Sequence, residues 1–167
     1  MTAAPSVDER ALLEQAPDGV IFADLDGTVQ YWNPAAERIF GIPAEKAVGA
    51  NLDIIIPEQF RAAHWAGFER ATTTGEMKYP GGQALPTKAL HGDGHELYVE
   101  LSFGVVHGAD GKIVGAMAQA REITERFNRD REARRRLRDL EQQLKDLQAA
   151  NATAEAEEDQ APAAGAR

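Results

Sequence analysis

The stretch Tyr31-Trp32-Asn33-Pro34-Ala35-Ala36-Glu37-Arg38-Ile39-Phe40-Gly41 decides how this chain is read. An asparagine side chain can accept a backbone N–H at the start of a helix, and proline fits the first helical position, where no N–H is needed. Asn33-Pro34 therefore predicts a helix over 34–40. The residues before it predict strands at about 19–24 and 28–32, joined by the turn Asp24-Leu25-Asp26-Gly27.

Working outward, residues 7–15 have a helical pattern with Leu12 and Leu13 apolar, ended by Pro17-Asp18-Gly19. A second short helix is expected over 43–48. The apolar run Ile54-Ile55-Ile56 leads into a longer helix from Pro57 to about Thr73, which Gly75 stops. Residues 76–88 follow no period, because Gly81-Gly82 and two prolines interrupt it. His91-Gly92-Asp93-Gly94 reads as a hairpin turn. Beyond it, Leu97, Val99, Leu101 and Phe103 alternate with Tyr98, Glu100 and Ser102, the period of a half-buried strand. Gly108-Ala109-Asp110-Gly111 turns into a last strand over 112–121.

From Ile123 the period becomes helical. Leu137, Leu140, Leu144 and Leu147 are spaced three, four and three, which is a coiled-coil seam and predicts a homodimer over 123–150. The alternative is one amphipathic helix folded back on its own domain. Residues 151–167 carry no large apolar side chain and are expected to be a disordered acidic tail; residues 1–6 are expected to be disordered too.

Composition bounds the function. A chain of 167 residues with 43% hydrophobic content fits one core with extensions. A net charge of −9 counts against nonspecific binding to nucleic acid or anionic membranes. The absence of cysteine excludes disulfides, thiolate metal sites, covalent heme attachment and a cysteinyl-flavin adduct. Met1 to Glu9 lacks the basic and apolar regions of a secretory signal, and no run approaches the ~18 apolar residues of a membrane span. A cytoplasmic location is expected. No nucleophile sits near a base, and there is no Gly-rich phosphate loop, so an enzyme is not expected.

The order of elements, with Asn33-Pro34-Ala35-Ala36, the hairpin Gly92-Asp93-Gly94 and the closing run Arg121-Glu122-Ile123-Thr124-Glu125, resembles the PAS family of sensor domains over about residues 7–125. The family usually has Asp where Glu122 stands. The resemblance implies an α+β PAS fold over 7–122: an antiparallel five-stranded sheet with short helices and one long helix packed on it, followed by the coiled-coil helix. The run Ile56-Pro57-Glu58-Gln59-Phe60-Arg61-Ala62-Ala63-His64-Trp65-Ala66-Gly67-Phe68 resembles the same helix in heme-binding oxygen-sensor PAS domains, and so do Thr74-Gly75 and Gly81-Gly82 beyond it. In that subfamily the histidine at this position is the proximal ligand, which implies heme b held by His64.

The residues by themselves leave His64 open. Phe60, His64, Phe68 and Ala71 share one helix face, so His64 points where the phenylalanines point. A buried imidazole needs a partner, either a metal or a backbone carbonyl. Ala116, Ala118 and Ala120 alternate against Met117, Gln119 and Arg121; small inner residues leave room for a ligand or let the helix pack closely. The candidate cofactor-binding set is His64, Phe60, Phe68, Leu85, Leu101, Ala118 and Ala120, with His64 the metal ligand.

The subfamily's distal arginine is missing. Its window holds Gly82, Gln83, Ala84 and Leu85, and an apolar distal side suits carbon monoxide or nitric oxide. Gln83, Met77 or Tyr79 can replace that arginine only if 76–85 folds over the pocket. Flavin beside Trp32 is the lesser cofactor alternative, and a cofactor-free interaction module is another. His91 and His95 flank a turn and are expected to be solvated without the carboxylate neighbours of a zinc site; His107 lies in another turn. Arg134-Arg135-Arg136 reads as a solvated coil flank. Any output is expected to come from a separate effector protein.

Overall fold

The computed structural model describes residues 8–77 and 83–159. Two compact units divide the chain after Thr124.

The first unit begins with helix α1 (Glu9–Glu14), then strands β1 (Gly19–Asp24) and β2 (Val29–Trp32). Helices α2 (Pro34–Phe40) and α3 (Ala44–Ala47), a 3-10 turn at Leu52–Ile54 and the long helix α4 (Glu58–Thr74) follow. Strands β3 (Leu85–Leu90), β4 (Glu96–His107) and β5 (Ile113–Glu122) complete it. The five strands form one sheet in the order β2-β1-β5-β4-β3, and every neighbouring pair is antiparallel. The expected architecture is the observed one, and β3 resolves part of the stretch that had no sequence period.

Register decides which residues face the helices, because directly paired residues point to the same side. Ile21 pairs with Ala118 and Ala23 with Ala116. Ala118 pairs with Phe103 and Ala120 with Leu101. Leu101 pairs with Leu85 and Val99 with Thr87. All of these lie on the inner face, with the core packed between it and the helices. Phe40, Val29, Leu97 and Val99 are fully buried there, and Trp32 meets Phe40 with ring centroids 5.3 Å apart.

Asn33 holds the entry to this core and is itself fully buried. Its Oδ1 accepts the Ala36 N–H at 2.9 Å, the expected helix cap, and the Val20 N–H at 2.8 Å. Its Nδ2 donates to the Leu13 and Asp18 carbonyls, both at 3.0 Å. One amide thus ties β1, α2, the end of α1 and the loop between them.

The second unit is the rest of helix α5 (Thr124–Asp159). Its leucines 137, 140, 144 and 147 are each more than half exposed. The helix runs through 151–159, where disorder was expected. That stretch is mostly Ala and Glu, whose helix propensity extends an existing helix. Residues 1–6 and 160–167 lie outside the described residues. No described helix is long and apolar enough to cross a membrane.

Asn33→Ala removes a cap, worth about 1 kcal/mol, and strands buried backbone groups at a further cost of about 1–3 kcal/mol. The expected outcome is a loss of about 2–4 kcal/mol of stability in urea unfolding. A change below about 1 kcal/mol would show that Asn33 is not the organising contact.

Candidate functional site

Helix α4 is fixed from the side by its own Trp65, next to His64. Trp65 Nε1 donates to Asp53 Oδ1 at 2.9 Å. Its ring lies over Gly27, in the β1–β2 turn, where a Cβ would come within 2.2 Å of the indole. Gly27 also has φ +76°, so both its backbone and its neighbour require glycine. Arg61 adds hydrogen bonds to the carbonyls of Ile56 and Asp53, both at 3.2 Å. These contacts set the rotation of α4 and so the direction of the next residue, His64.

Between α4 and the inner face of the sheet lies a cavity of about 330 Å³. Its helix wall is Phe60, Ala63, His64, Gly67, Phe68 and Arg70. Its sheet wall includes Ile21, Ala23, Leu101, Phe103, Ala116 and Ala118. The volume lies within the usual range for small-molecule sites. Small residues leave this space: Ala63 and Gly67 on the helix, Ala116 and Ala118 on β5.

His64 is half-buried, stacked on Phe68 (centroids 6.0 Å apart) and edge-on to Trp65 (5.0 Å). Its Nδ1 is buried and has no hydrogen-bond partner among the described residues. Burial pushes the imidazole pKa down, with the Asp53 carboxylate opposing in part. The ring is therefore held towards its neutral form, the form that binds metals. An unpartnered buried nitrogen costs about 1–3 kcal/mol. Among the described residues no backbone carbonyl accepts from that nitrogen.

Of the candidate cofactor residues, the structure brings Phe60, His64, Phe68, Leu101 and Ala118 together at the cavity. Two of the set do not line it. Ala120 is on the inner face but pairs with Gly19, which lies against Ala36 of α2, so α2 covers it. Leu85 shares the inner face opposite Leu101 but sits at the edge of the sheet, outside the cavity wall. Met77 and Gln83 do not line the cavity, and Tyr79 and Gly82 lie outside the described residues.

The sequence reading missed Arg70, an exposed residue on the cavity wall. A signal for it existed: Ala63, Gly67 and Arg70 stand at i, i+4 and i+7, the stripe beside His64. Lys88 already pairs with Glu96 at 2.6 Å. His95 is exposed, as expected, but the reading of His91 as solvated and of both histidines as lacking a carboxylate neighbour is corrected. Asp93 Oδ1 lies between them, and His91 is largely covered.

Comparison with known proteins agrees with this geometry. A family model described as the PAS fold matches residues 8–123. The chain is 30% identical over 136 residues to the sensor protein FixL of Bradyrhizobium diazoefficiens, covering 81% of this chain and 25% of that one. It is 29% identical over 101 residues to the oxygen sensor protein DosP of Escherichia coli, covering 60% of this chain and 12% of that one. The chain thus spans a quarter or less of these two relatives. Among solved structures, a PAS domain from Colwellia psychrerythraea superposes with a TM-score of 0.61 at 22% identity, covering 70% of this chain and 94% of that one.

A depressed histidine pKa has a definite sign in stability. Above about pH 6.5 the imidazole is neutral in both folded and unfolded chains. Below that, the unfolded chain takes up a proton that the folded chain resists, so stability falls with pH. The urea midpoint of the protein between about pH 7 and 5 should fall more steeply than that of His64→Leu; parallel curves would reject the assignment. With cavity, sheet order and family match in agreement, residues 8–123 place this chain in the PAS-fold family.

Proposed function

We propose that this chain is a non-catalytic sensory PAS domain that binds heme b through His64 and reports a diatomic gas. The observation that carries the reading is the His64 imidazole: it is biased towards neutrality, its Nδ1 is unpartnered, and it lines an apolar cavity. The resemblance of residues 56–68 to the proximal helix of oxygen-sensor PAS domains supports it, as does similarity to a protein named an oxygen sensor.

The residues present fit the group. Phe60 and Phe68 flank His64 with apolar surface, and Ala116 and Ala118 leave depth opposite the helix. Arg70, exposed on the helix wall, offers positive charge to an acidic edge. Heme would supply an iron that binds the gas. Met77 and Gln83 do not line the cavity, and its sheet wall is mainly apolar, which favours carbon monoxide or nitric oxide over a stable oxygen complex.

Output follows the sheet. Leu101 and Val99 of β4 line the cavity. Tyr98, between them and Leu97, accepts the Ile123 N–H at 2.9 Å through its carbonyl and donates its own N–H to Thr124 Oγ1 at 3.0 Å. Movement of β4 would therefore act on the residues that begin α5. In this reading α5 pairs with a second copy through Leu137, Leu140, Leu144 and Leu147, and a separate effector reads the coil.

Hemin added to the purified protein, with excess removed, should leave an intense Soret band that is lost or shifted in His64→Ala. Identical flat spectra would overturn heme binding and leave a PAS module for another ligand, flavin included, or for protein assembly. For the coil, Leu140→Asp combined with Leu144→Asp should convert a dimer to a monomer by light scattering. A persistent dimer would put the interface elsewhere.

A further inference from the structure

The turn between β3 and β4 holds a constellation that the cavity does not use. Among the described residues, His91, Asp93 and His95 are the group of three whose ligand atoms all lie within 4.8 Å of one another. His91 Nδ1 is 2.9 Å from Asp93 Oδ1, and His95 Nδ1 is 2.5 Å from the same oxygen. The two imidazoles stack with centroids 4.4 Å apart and planes 25° from parallel. Both rings thus present the same nitrogen to one carboxylate. We propose that His91, Asp93 and His95 form a binding site for a divalent transition-metal ion of the zinc class.

The donor set selects the metal. Two imidazoles and a carboxylate suit zinc and its neighbours, whereas calcium and magnesium need more oxygen ligands than one side chain supplies. The spacing is also right. Two atoms bound to one tetrahedral zinc lie about 3.4 Å apart, given bonds of about 2.0–2.1 Å. The three ligand atoms already lie within 4.8 Å of one another. Three protein ligands leave one position for water or a partner's side chain.

The turn is also held in place. His91 N–H donates to the His95 carbonyl and Gly94 N–H to the His91 carbonyl, both at 2.9 Å, which closes the hairpin. Gly92 N–H donates to the Phe40 carbonyl at 2.7 Å, docking the turn on the end of α2. The His91 ring rests on Gly41, where a Cβ would come within 2.1 Å of Nε2. Gly41 has φ +64° as the α2 cap, so the same glycine ends the helix and makes room for the ring. One ligand is therefore largely fixed, while Asp93 and His95 are exposed, with Asp93 Oδ1 also accepting the His95 N–H at 3.1 Å. Phe40, next to Gly41, lines the cavity, so an ion here would stiffen the helix end that carries a cavity residue.

Zinc chloride titrated calorimetrically into the full chain tests this, beside His95→Ala, Asp93→Asn and His64→Ala, each checked for folding by circular dichroism. The expected result is one equivalent bound by the wild type and His64→Ala, with affinity lowered at least about tenfold in both turn variants. No saturable binding by the wild type, full affinity in either turn variant, or loss of binding in His64→Ala would each overturn the site. If either turn variant is misfolded, His95→Gln and Asp93→Ala take its place under the same criterion.

Discussion

The structure depends on one buried amide. Asn33 makes four hydrogen bonds from a fully buried position, two accepted by its oxygen and two donated by its nitrogen. Every polar site of such a group must be satisfied, because a buried group left unmet costs about 1–3 kcal/mol, more than the net contribution of a made bond. The geometry that meets all four is narrow. It requires β1, the end of α1, the loop at Asp18 and the first turn of α2 to arrive together. Asp18 is held a second time, by a bidentate pair with Arg121 of β5 at 2.8 and 2.7 Å. That pair is exposed and contributes little energy, but it ties the same loop to the central strand of the sheet.

The cavity follows from how this frame is filled. A close-packed interior leaves few voids larger than a water molecule. Here the inner face of β5 is alanine, and the facing stripe of α4 contains alanine and glycine. Close packing would bring helix and sheet together over such small residues. Trp65, anchored on Gly27 and Asp53, and the bulk of Phe60 and Phe68 hold α4 away from the strands. The space is therefore maintained by large residues at its margin and left by small ones at its centre.

The same economy of contacts links the cavity wall to the start of α5. Successive residues of a strand face opposite sides. Val99 looks into the cavity, while the backbone of Tyr98 beside it holds Ile123 and Thr124. A strand cannot shift on one face alone, so a change in what Val99 touches reaches Tyr98 through a single peptide bond.

Features that arise within a few consecutive residues were legible in the sequence: the Asn33-Pro34 cap, the face shared by Phe60, His64 and Phe68, and the alternation of Ala116, Ala118 and Ala120. Each rests on the fixed periods of helix and strand, which tertiary contacts do not alter. The sequence also determined the sheet and its inner face, since a shift of one residue would bury Gln119 and Arg121. Which inner residues border a cavity was decided only in three dimensions. Ala118 and Ala120 are equivalent by parity, yet α2 covers one and not the other. The cover over His91 comes from the docking of its ring on Gly41, more than forty residues earlier. Arg70 reached the cavity wall because Trp65 set the rotation of α4. Periodicity assigns a face, but only packing between distant elements decides what that face meets.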